Sequence, residues 1–373
     1  MQARDLQPTP SGAHIGVSLF YHPAFLQHHT GDHPESPQRL RAILTVLEQH
    51  GIPEHSLLRP SPVDLALLSQ VHHPSYIAAV ERVATYGGGY WDIDTYISPR
   101  SYDAALLAAG AAVATVDEVM AGSKAAFALV RPPGHHALYH SAMGFCIFNN
   151  VAVAAQHAVT HYNLERVLIV DWDVHHGNGT QDYFYERPDV LFFSAHRYPF
   201  YPGTGAIEEM GAGKGMGYTV NVPLPAGVGD EGYERVFDEV LVPLARRYRP
   251  QLILISAGFD AHLADPLGGM AVTTAGYYRM AKACRALADG IQECQGRVAA
   301  VLEGGYNTHA LAMSVLATIV ALRPHRDEQA QHELPAEEWS EQPTSVHAAR
   351  HRPAPDIKGV IRRVKHMHNL DEM

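Results

Sequence analysis

Short apolar runs alternate with segments of helical periodicity along most of the chain. The runs predict strands over 14–20, 126–132, 166–173, 190–196, 251–259 and 298–306. Between them, the pattern predicts helices over 37–50, 74–85, 101–121, 149–162, 231–248, 273–289 and 307–321. Strands that alternate with helices pair in parallel, and a strand buried in such a sheet is a continuous run of Val, Ile and Leu. We therefore predict a single-domain α/β fold with a mainly parallel central sheet and helices on both faces.

Titratable or metal-binding side chains follow four of these runs, where each predicted strand ends. The run RVLIV leads directly into DWDVHHGNG, which contains Asp171, Asp173, His175 and His176. The other three runs are followed by His135 and His136, by Asp260, and by Tyr306 after Gly304 and Gly305. Ligands of open α/β sheets bind beyond the carboxyl ends of the strands. The sequence therefore predicts one functional site at that edge of the sheet.

The spacing within DWDVHHGNG indicates how its side chains divide. Residues i and i+2 of an extended segment share one side, so Asp173 and His175 point together, and Asp171 shares that side. With Asp260 they give an Asp/His/Asp set that leaves positions open for water and substrate, as a catalytic divalent metal requires. Asp171 can instead orient a histidine by a hydrogen bond. The pattern alone is compatible with a metal site, an acid–base pair or both.

The adjacent His135 and His136 follow a Pro-Pro-Gly turn and diverge if the loop is extended. One can then take a proton from water while the other holds a proton for a leaving group. Each needs a partner that fixes its tautomer. A lone histidine is more often an ordinary core residue, but four strands that all end in such side chains favour a site.

Composition limits the classes of protein that this chain can represent. Its 373 residues are 46% hydrophobic, which is sufficient for a large core. From about Pro324 the chain becomes rich in charge, Pro and His, as is typical of an extended tail. The last segment, DIKGVIRRVKHMHNL, predicts a helix that docks on the domain or on a partner. We predict an extension over 1–14, the main domain over 15–325, and a charged tail with a terminal helix over 326–373.

Net charge, cysteine content and the lengths of the apolar runs argue against nucleic-acid binding, disulfides and membrane segments. The formal net charge of -11 argues against nucleic-acid binding, because phosphate contacts need a basic face. The three cysteines form no CxxC pair, which indicates a reducing compartment without disulfides. The segment MQARDLQPTPSG lacks the apolar core of a signal peptide, and no apolar run is long enough to span a bilayer. We therefore predict a cytoplasmic protein with no membrane partner. A homo-oligomer stays open.

Several motifs together resemble one family. They are HPESPQRL (33–40), WDIDTY (91–96), RPPGHHA (131–137), GFCIFNNVA (144–152), DWDVHHGNGTQ (171–181), FYPGTGA (200–206), GFDAHLADPLGG (258–269) and LEGGYN (302–307). In this order they resemble the zinc-dependent deacetylases of the arginase/deacetylase superfamily, and most of all the class II histone deacetylases and their bacterial amidohydrolase homologues. The resemblance covers about residues 15–325 and implies the fold of that superfamily and one zinc ion per chain.

The resemblance implies that zinc is held by Asp173, His175 and Asp260. It implies that His135 and His136 are the tandem catalytic histidines, with His136 as the general base. Tyr306 then polarises the acyl carbonyl and stabilises the oxyanion.

In the same resemblance, Asp171 orients His135, and Asn178 is the partner of His136 where class I members have an aspartate. An amide cannot stabilise an imidazolium as a carboxylate does, so we expect the two histidines to titrate differently. The products are acetate, or another short acid, and a free amine. His176 receives no role.

The resemblance also implies a tunnel for the stem of an acyl-lysine. Gly144 and Phe145 form one wall, with Phe200 or Tyr201 opposite. Asp94 matches a rim aspartate that binds the substrate backbone, although Asp92 competes for that role. The complete substrate-binding set is Asp94, Gly144, Phe145, Phe200, Tyr201, Leu267 and Gly304. Arg39 lines the exit for acetate or forms a surface salt bridge.

Members of the family also bind monovalent cations, so K⁺ or Na⁺ is expected in addition to zinc. The residues implied for one site are Asp171, Asp173, His175 and Ser194. Those implied near a second site are Phe184, Val190 and Tyr218.

Three hypotheses compete with lysine deacylation. An acetylpolyamine amidohydrolase would use the same chemistry, but polyamine-selective relatives have a glutamate after the Asp-Pro pair, where this chain has Leu267. An arginase-like activity requires two manganese ions and a second aspartate two residues after Asp260, where His262 stands. A catalytically silent acyl-lysine-binding module is disfavoured because Tyr306 is retained. We therefore predict a zinc-dependent deacylase of acylated lysine in proteins or peptides, or of small acylated amines.

Overall fold

A computed structural model describes residues 16–324 and 354–371. The strands are β1 (Ser18–Phe20), β2 (Gly89–Tyr90), β3 (Tyr96–Ile97), β4 (Ala125–Ala128), β5 (Val167–Asp171), β6 (Val190–Arg197), β7 (Thr219–Leu224), β8 (Leu252–Ala257) and β9 (Val298–Leu302). Seven of them form one sheet in the order β1-β4-β9-β8-β5-β6-β7, with every neighbouring pair parallel. The other two, β2 and β3, form a separate antiparallel hairpin.

Eleven α-helices accompany the strands in the described residues. They are α1 (Pro37–Gln49), α2 (Leu65–Val71), α3 (Pro74–Thr85), α4 (Ser101–Met120), α5 (Asn150–Tyr162), α6 (Asn178–Phe184), α7 (Asp230–Val236), α8 (Val242–Tyr248), α9 (Thr274–Gly290), α10 (Thr308–Ala321) and α11 (Lys358–Met367). One group, α4 and α5, packs together and on the sheet, while α1, α9 and α10 form a second packed group. Helices thus cover both faces of the sheet, and the predicted α/β class is confirmed.

The central strands are buried along their whole length, as their apolar runs predict. Every residue of β5, β8 and β9 is buried. All six predicted strands exist, but several end earlier than predicted, because the polar residues that follow them already lie in loops. The register places Asp171 of β5 opposite Ser256 of β8 and Ser194 of β6. The polar loops after these strands therefore lie side by side.

Three helices begin at residues that cap them. The side chains of Asn149, Thr273 and Asn307 accept hydrogen bonds from the backbone N–H three residues later, at 3.0, 3.2 and 3.0 Å. Such caps satisfy N–H groups that have no partner inside the helix. The predicted starts of α5, α9 and α10 coincide with these residues. The single helix predicted over 231–248 is instead α7 and α8 joined by a π-helical turn, Phe237–Leu241.

Some elements were not predicted, and β7 shows why. Its sequence, TVNVPL, contains Pro223, which cannot donate a hydrogen bond to a neighbouring strand. Because β7 is the last strand of the sheet, it needs a partner on one side only. The short helices α2 and α6 were missed because seven residues give little periodicity.

The closing helix α11 docks on the domain. Ile361 and Val364 are buried, and the helix contacts β7 and the π-helical turn. Arg247 Nη1 donates to the carbonyl of His368 at 2.7 Å, and Arg363 pairs with Glu208. The predicted extension 1–14 and the tail segment 326–353 lie outside the described residues, so these boundaries stay predictions.

Two smaller expectations concern membranes and thiols. Within 16–324 and 354–371, none of the helices combines the length and the apolar character needed to cross a bilayer. Cys146, Cys284 and Cys294 are all buried free thiols. The expected lack of disulfides therefore holds.

Candidate metal and acid–base site

Three neighbouring strands deliver polar side chains to one place. Asp173 and His175 follow β5, Asp260 follows β8, and Tyr306 follows β9. These strands are adjacent in the order β9-β8-β5, so their carboxyl ends meet at the same edge. The structure thus brings together the groups that the sequence predicted at this edge.

Asp173, His175 and Asp260 each point one ligand atom at the same region, with all three atoms within 4.8 Å of one another. His175 Nδ1 lies 3.1 Å from Asp173 Oδ1 and 3.2 Å from Asp260 Oδ2. Asp260 Oδ2 is buried and accepts no well-oriented hydrogen bond among the described residues, although the His175 ring nitrogen lies beside it. Two buried carboxylates this close together carry a large desolvation cost unless a cation lies beside them. This set of donors therefore fits a divalent metal such as zinc.

Two glycines leave room for these carboxylates. A Cβ atom at Gly258 would overlap Asp173 Oδ2, and one at Gly304 would overlap Asp260 Oδ2. The backbone N–H of Gly304 donates to Asp173 Oδ2 at 2.9 Å. Gly304, predicted as a substrate-binding residue, thus lies directly against two of the predicted metal ligands.

The tandem histidines have the predicted partners, and these partners differ in charge. His135 Nδ1 lies 3.0 Å from Asp171 Oδ2, and His136 Nδ1 lies 2.7 Å from Asn178 Oδ1. Burial lowers the pKa of His135, but the Asp173 and Asp171 carboxylates outweigh it and raise the pKa to about 10. Burial, together with the neighbouring His135 and His175, holds the pKa of His136 well below its usual value. The pKa values of the two adjacent histidines are therefore shifted in opposite directions.

Tyr306 lies next to these groups with its hydroxyl protonated. Burial, followed by the Asp260 charge, raises the pKa of Tyr306 well above its usual value, so its O–H can donate a hydrogen bond. Its backbone N–H donates to Asp265 Oδ2 at 2.7 Å, and its ring meets the Phe145 ring edge-to-face at 5.7 Å. The role of Tyr306 as an oxyanion donor stays a prediction.

Arg39 is fully buried, so the surface salt bridge considered for it is wrong. Its Nε donates to the carbonyl of Gly305 at 2.7 Å, and its guanidinium lies over the Tyr306 ring. It also pairs with the buried Glu35 at 3.2 Å. A role of Arg39 in acetate exit stays a prediction.

Aromatic side chains surround the approach to the site. Phe200 stacks on the His175 ring at 5.3 Å, and Tyr201 meets the His136 ring edge-to-face at 5.2 Å. A Cβ atom at Gly144 would lie 3.1 Å from the Tyr201 hydroxyl. Tyr201 is thus the residue opposite the Gly144 wall, while Phe200 packs against a predicted metal ligand.

At the rim, the two competing aspartates have different surroundings. Asp92 Oδ1 accepts hydrogen bonds from the backbone N–H groups of Asp94 and Thr95, at 3.1 and 2.7 Å, and so shapes the turn. Asp94 accepts only from the Thr95 hydroxyl, at 3.2 Å, among the hydrogen bonds in the described residues. Burial and the Asp92 charge raise the pKa of Asp94. Asp94 is therefore the freer of the two for a substrate. Leu267 is partly exposed and brings no charge to the rim.

The residues predicted for monovalent cations fall into two places. Ser194 lies opposite Asp171 in the sheet, next to the loop that holds Asp173 and His175. The second set lies at the other end of the strands, where Val190 begins β6, Tyr218 precedes β7, and Phe184 ends α6. Cation binding at either place stays a prediction.

Sequence reasoning missed one buried group beside the histidines, Glu303, and named a second, His176, without giving it a role. Glu303 Oε2 accepts from the backbone N–H groups of Gly134 and His135, at 2.6 and 3.2 Å, and burial raises the pKa of Glu303 to about 7. His176 is fully buried and bonded through both ring nitrogens. Glu303 stands inside the LEGGYN motif, so its position next to Gly304 was a usable signal. His176 was visible in DWDVHHGNG, but nothing in the sequence indicated its hydrogen-bond partners.

Known proteins share this arrangement of sequence and fold. The model of the histone deacetylase domain matches residues 33–322. Histone deacetylase 10, chloroplastic, of Oryza sativa subsp. japonica is 40% identical over 92% of this chain and 79% of its own. The human polyamine deacetylase HDAC10 is 41% identical over 77% of this chain and 44% of its own. The crystal structure of the HDA15 HD domain superposes with a TM-score of 0.80, at 37% identity over 94% of each chain.

The matched region contains every residue placed at the site, from Asp94 to Tyr306. The family model covers most of the chain, and the rice relative is matched over most of its own length. The protein therefore belongs to the histone deacetylase family.

Proposed function

We propose that this protein is a zinc-dependent hydrolase that removes acetyl or other short acyl groups from the ε-amino group of lysine in peptides and proteins. The observation that carries the proposal is the convergence of Asp173, His175 and Asp260 within 4.8 Å, beside two buried histidines with different Nδ1 partners. Membership of the family supports the same chemistry.

Zinc held by Asp173, His175 and Asp260 would supply a Lewis acid that polarises the acyl carbonyl and a water molecule. The neutral His136 accepts the proton of the attacking water at Nε2, because Asn178 Oδ1 occupies its Nδ1–H. Asp171 accepts the Nδ1–H of His135, which fixes the orientation of that ring.

The remaining residues act on the acyl group and on the amine. The Tyr306 hydroxyl donates a hydrogen bond to the carbonyl oxygen as negative charge develops there. A histidine then returns a proton to the departing amine, which gives a carboxylate and a free lysine. The aromatic rings of Phe145 and Tyr201 hold the aliphatic stem of the lysine and exclude water.

A polyamine substrate is the second candidate. The acidic rim of Asp92 and Asp94 would attract a polycation, and one relative is named a polyamine deacetylase. Leu267, however, offers no carboxylate at the position where polyamine-selective relatives have a glutamate. The apolar side chain at that position favours acyl-lysine over a polycation.

An arginase-like reaction and a silent binding role have weaker support from the site. His262, which stands where a second metal-binding aspartate would be needed for an arginase-like reaction, accepts the backbone N–H of Ala264 at 3.1 Å. A silent binding module would not need Tyr306 beside the metal ligands. Neither hypothesis explains the whole site.

The oxyanion role can be tested with Tyr306→Phe. We expect this variant to keep stoichiometric zinc and to bind acetyl-lysine peptide, but to lose roughly 10²- to 10³-fold in kcat, because one oxyanion donor is removed. Asp260→Ala is the companion variant, and it should lose zinc itself. Turnover of Tyr306→Phe near that of the wild type, or a stoichiometric zinc content in Asp260→Ala, would contradict the assignment.

The substrate class needs a separate measurement. The zinc-loaded wild-type protein is assayed side by side on acetyl-lysine peptides, trifluoroacetyl-lysine peptides and acetylated polyamines. We expect the highest kcat/KM on a lysine peptide. A higher value on an acetylated polyamine would make the second candidate the correct one.

A further inference from the structure

His176 has no part in the proposed chemistry, although it is adjacent to the predicted ligand His175 and is fully buried. Its Nδ1 lies 2.8 Å from the hydroxyl of Thr204, and its Nε2 lies 3.0 Å from Gln181 Oε1. A buried ring with both nitrogens bonded is held in one orientation. The two bonds connect the loop after β5 with the segment that carries the aromatic wall of the site.

The hydrogen bonds around Gln181 fix the tautomer of His176. Gln181 Nε2 donates to Glu209 Oε2 at 2.6 Å, which sets the orientation of the amide because a carboxylate can only accept. Gln181 Oε1, which also accepts from Asn221 Nδ2 at 2.7 Å, must then accept from His176 Nε2–H. His176 Nδ1 is left as an acceptor for the Thr204 hydroxyl. The ring is therefore the neutral Nε2–H tautomer.

The same cluster clamps three consecutive residues of the tunnel loop, which we define as residues 198–207. Thr204 donates to His176, and the backbone N–H groups of Gly205 and Ala206 donate to the Glu209 carboxylate at 3.0 and 3.1 Å. The carbonyl of Gly205 accepts from His196 Nε2 at 2.9 Å. No side chain fits at Gly205, because a Cβ atom there would overlap His196.

The clamped residues lie just beyond Phe200 and Tyr201 in the chain. Between Tyr201 and Thr204 lies Gly203, whose φ of 96° is open to few other residues. Phe200 and Tyr201 themselves make ring contacts with Arg197, His175 and His136 but no side-chain hydrogen bond among those described. The position of Tyr201 over His136 therefore depends both on these ring contacts and on where the segment 204–206 is held. A shift of the clamp would widen or narrow the gap between Tyr201 and Gly144.

We propose that His176 is a positioning residue that, through Thr204, sets the aperture of the acyl-lysine tunnel at Tyr201. The inference rests on the proposed function, because it assigns the tunnel loop to the substrate stem. It identifies a use for the second histidine of DWDVHHGNG that involves neither the metal nor proton transfer. A purely structural role would instead affect the stability of the whole domain and leave KM unchanged.

Thr204→Val tests the connection and leaves every buried side chain of the cluster in place, since Thr204 itself is exposed and only its hydroxyl contacts His176. The variant keeps the shape of the side chain and removes the donor to His176. We expect KM for an acetyl-lysine peptide to rise about fivefold with kcat within about twofold of the wild type, and amide hydrogen exchange over 200–206 to become about fivefold faster. Zinc content should stay stoichiometric.

Two variants serve as controls, and a third should strengthen the effect. Thr204→Ser retains a hydroxyl and should restore wild-type KM and exchange. Glu208→Gln changes the neighbouring loop charge, which pairs with Arg363 and not with the cluster, and should change neither quantity. Glu209→Gln removes the carboxylate that accepts from Gly205, Ala206 and Gln181, and should give a larger rise in KM than Thr204→Val.

Several results would overturn the proposal. These are unchanged KM and exchange in Thr204→Val, equal effects of Val and Ser at position 204, and a loss of zinc that accounts for the lost activity. If the wild-type protein hydrolyses no acylated amine, the proposed function fails. Hydrogen exchange alone then shows whether the Thr204–His176 hydrogen bond holds the tunnel loop. In that case, faster exchange in Thr204→Val supports the clamp, and unchanged exchange overturns it.

Discussion

His135 and His136 are neighbours in the chain and are buried to nearly the same degree, yet their pKa values are shifted in opposite directions. Their ring centroids lie 4.0 Å apart, so the difference does not come from distance to solvent. It comes from the charged groups around each ring. The Asp173 and Asp171 carboxylates raise the pKa of His135, and Asp171 lies at its Nδ1. His136 has the neutral Asn178 amide at Nδ1, and its neighbours His135 and His175 lower its pKa further. Two adjacent histidines thus differ in pKa because charged groups are distributed unequally around them.

Both partners come from the same short segment. Asp171 is the last residue of β5, and Asn178 is the first residue of α6. Gly177 lies between them with no space for a side chain, because a Cβ atom there would overlap Asp171 Oδ2. The segment therefore holds a carboxylate and an amide at fixed positions, each beside its own histidine. The asymmetry is a property of the backbone path as well as of the residue types.

Asp171→Asn should remove this asymmetry. Of the three variants, we expect it to lower kcat the most. The amide that replaces the carboxylate no longer offers His135 a charged acceptor, and it favours the wrong tautomer when its NH₂ faces Nδ1. We expect a loss of roughly 10³-fold in kcat at pH 7, by analogy with the loss of the tautomer-fixing aspartate in serine proteases. The measurement is kcat on an acetyl-lysine peptide, normalised to bound zinc. A loss smaller than about tenfold in a zinc-saturated variant would contradict the role of Asp171.

Gly144→Ala should disturb His136 while leaving His135 in place. Gly144 has a φ of 56°, and a Cβ atom there would overlap the His136 ring. We expect roughly 10²-fold lower kcat/KM, since a small displacement of a catalytic group carries a cost of that order. The matched control is Gly213→Ala, because Gly213 also has a positive φ, of 53°, but no atom within 4 Å of an added Cβ, and it lies outside the tunnel loop. Equal effects of the two variants would mean that backbone strain, and not His136, is responsible.

The sequence predicted the parts of the site that depend on strand order. Apolar runs located six of the seven strands of the sheet, and the polar residues at their ends were expected at one edge because parallel strands share a direction. The set of Asp173, His175 and Asp260 followed from this reasoning, with the family motifs in support. The pairing of His135 with Asp171 and of His136 with Asn178 came from the resemblance alone.

The parts that could not be predicted depend on contacts between distant segments. Nothing in the pattern around Arg39 shows that it is buried against the carbonyl of Gly305, 266 residues away in the chain. The bond of His176 to Thr204 likewise joins two loops with no shared periodicity. Strand β7 was missed for a local reason, since Pro223 is tolerated only because that strand lies at the edge of the sheet. Hydrophobic patterning describes which face is buried, but not which polar groups meet there.

Asn178→Asp would give both histidines a carboxylate at Nδ1. Of the three variants, we expect it to have the smallest effect on the rate. A carboxylate at position 178 raises the pKa of His136, which burial and the neighbouring histidines now hold well below its usual value. His136 must be neutral to accept a proton, so activity falls at low pH as it becomes protonated. A higher pKa therefore moves the low-pH side of the kcat/KM profile to higher pH, by about one unit, with less than about tenfold change at the optimum.

Met143→Leu is the control, because it removes only the 3.4 Å contact of Asn178 Nδ2 with the Met143 sulfur and adds no charge. A shift to lower pH in Asn178→Asp, or an equal shift in Met143→Leu, would show that the low-pH side does not report His136.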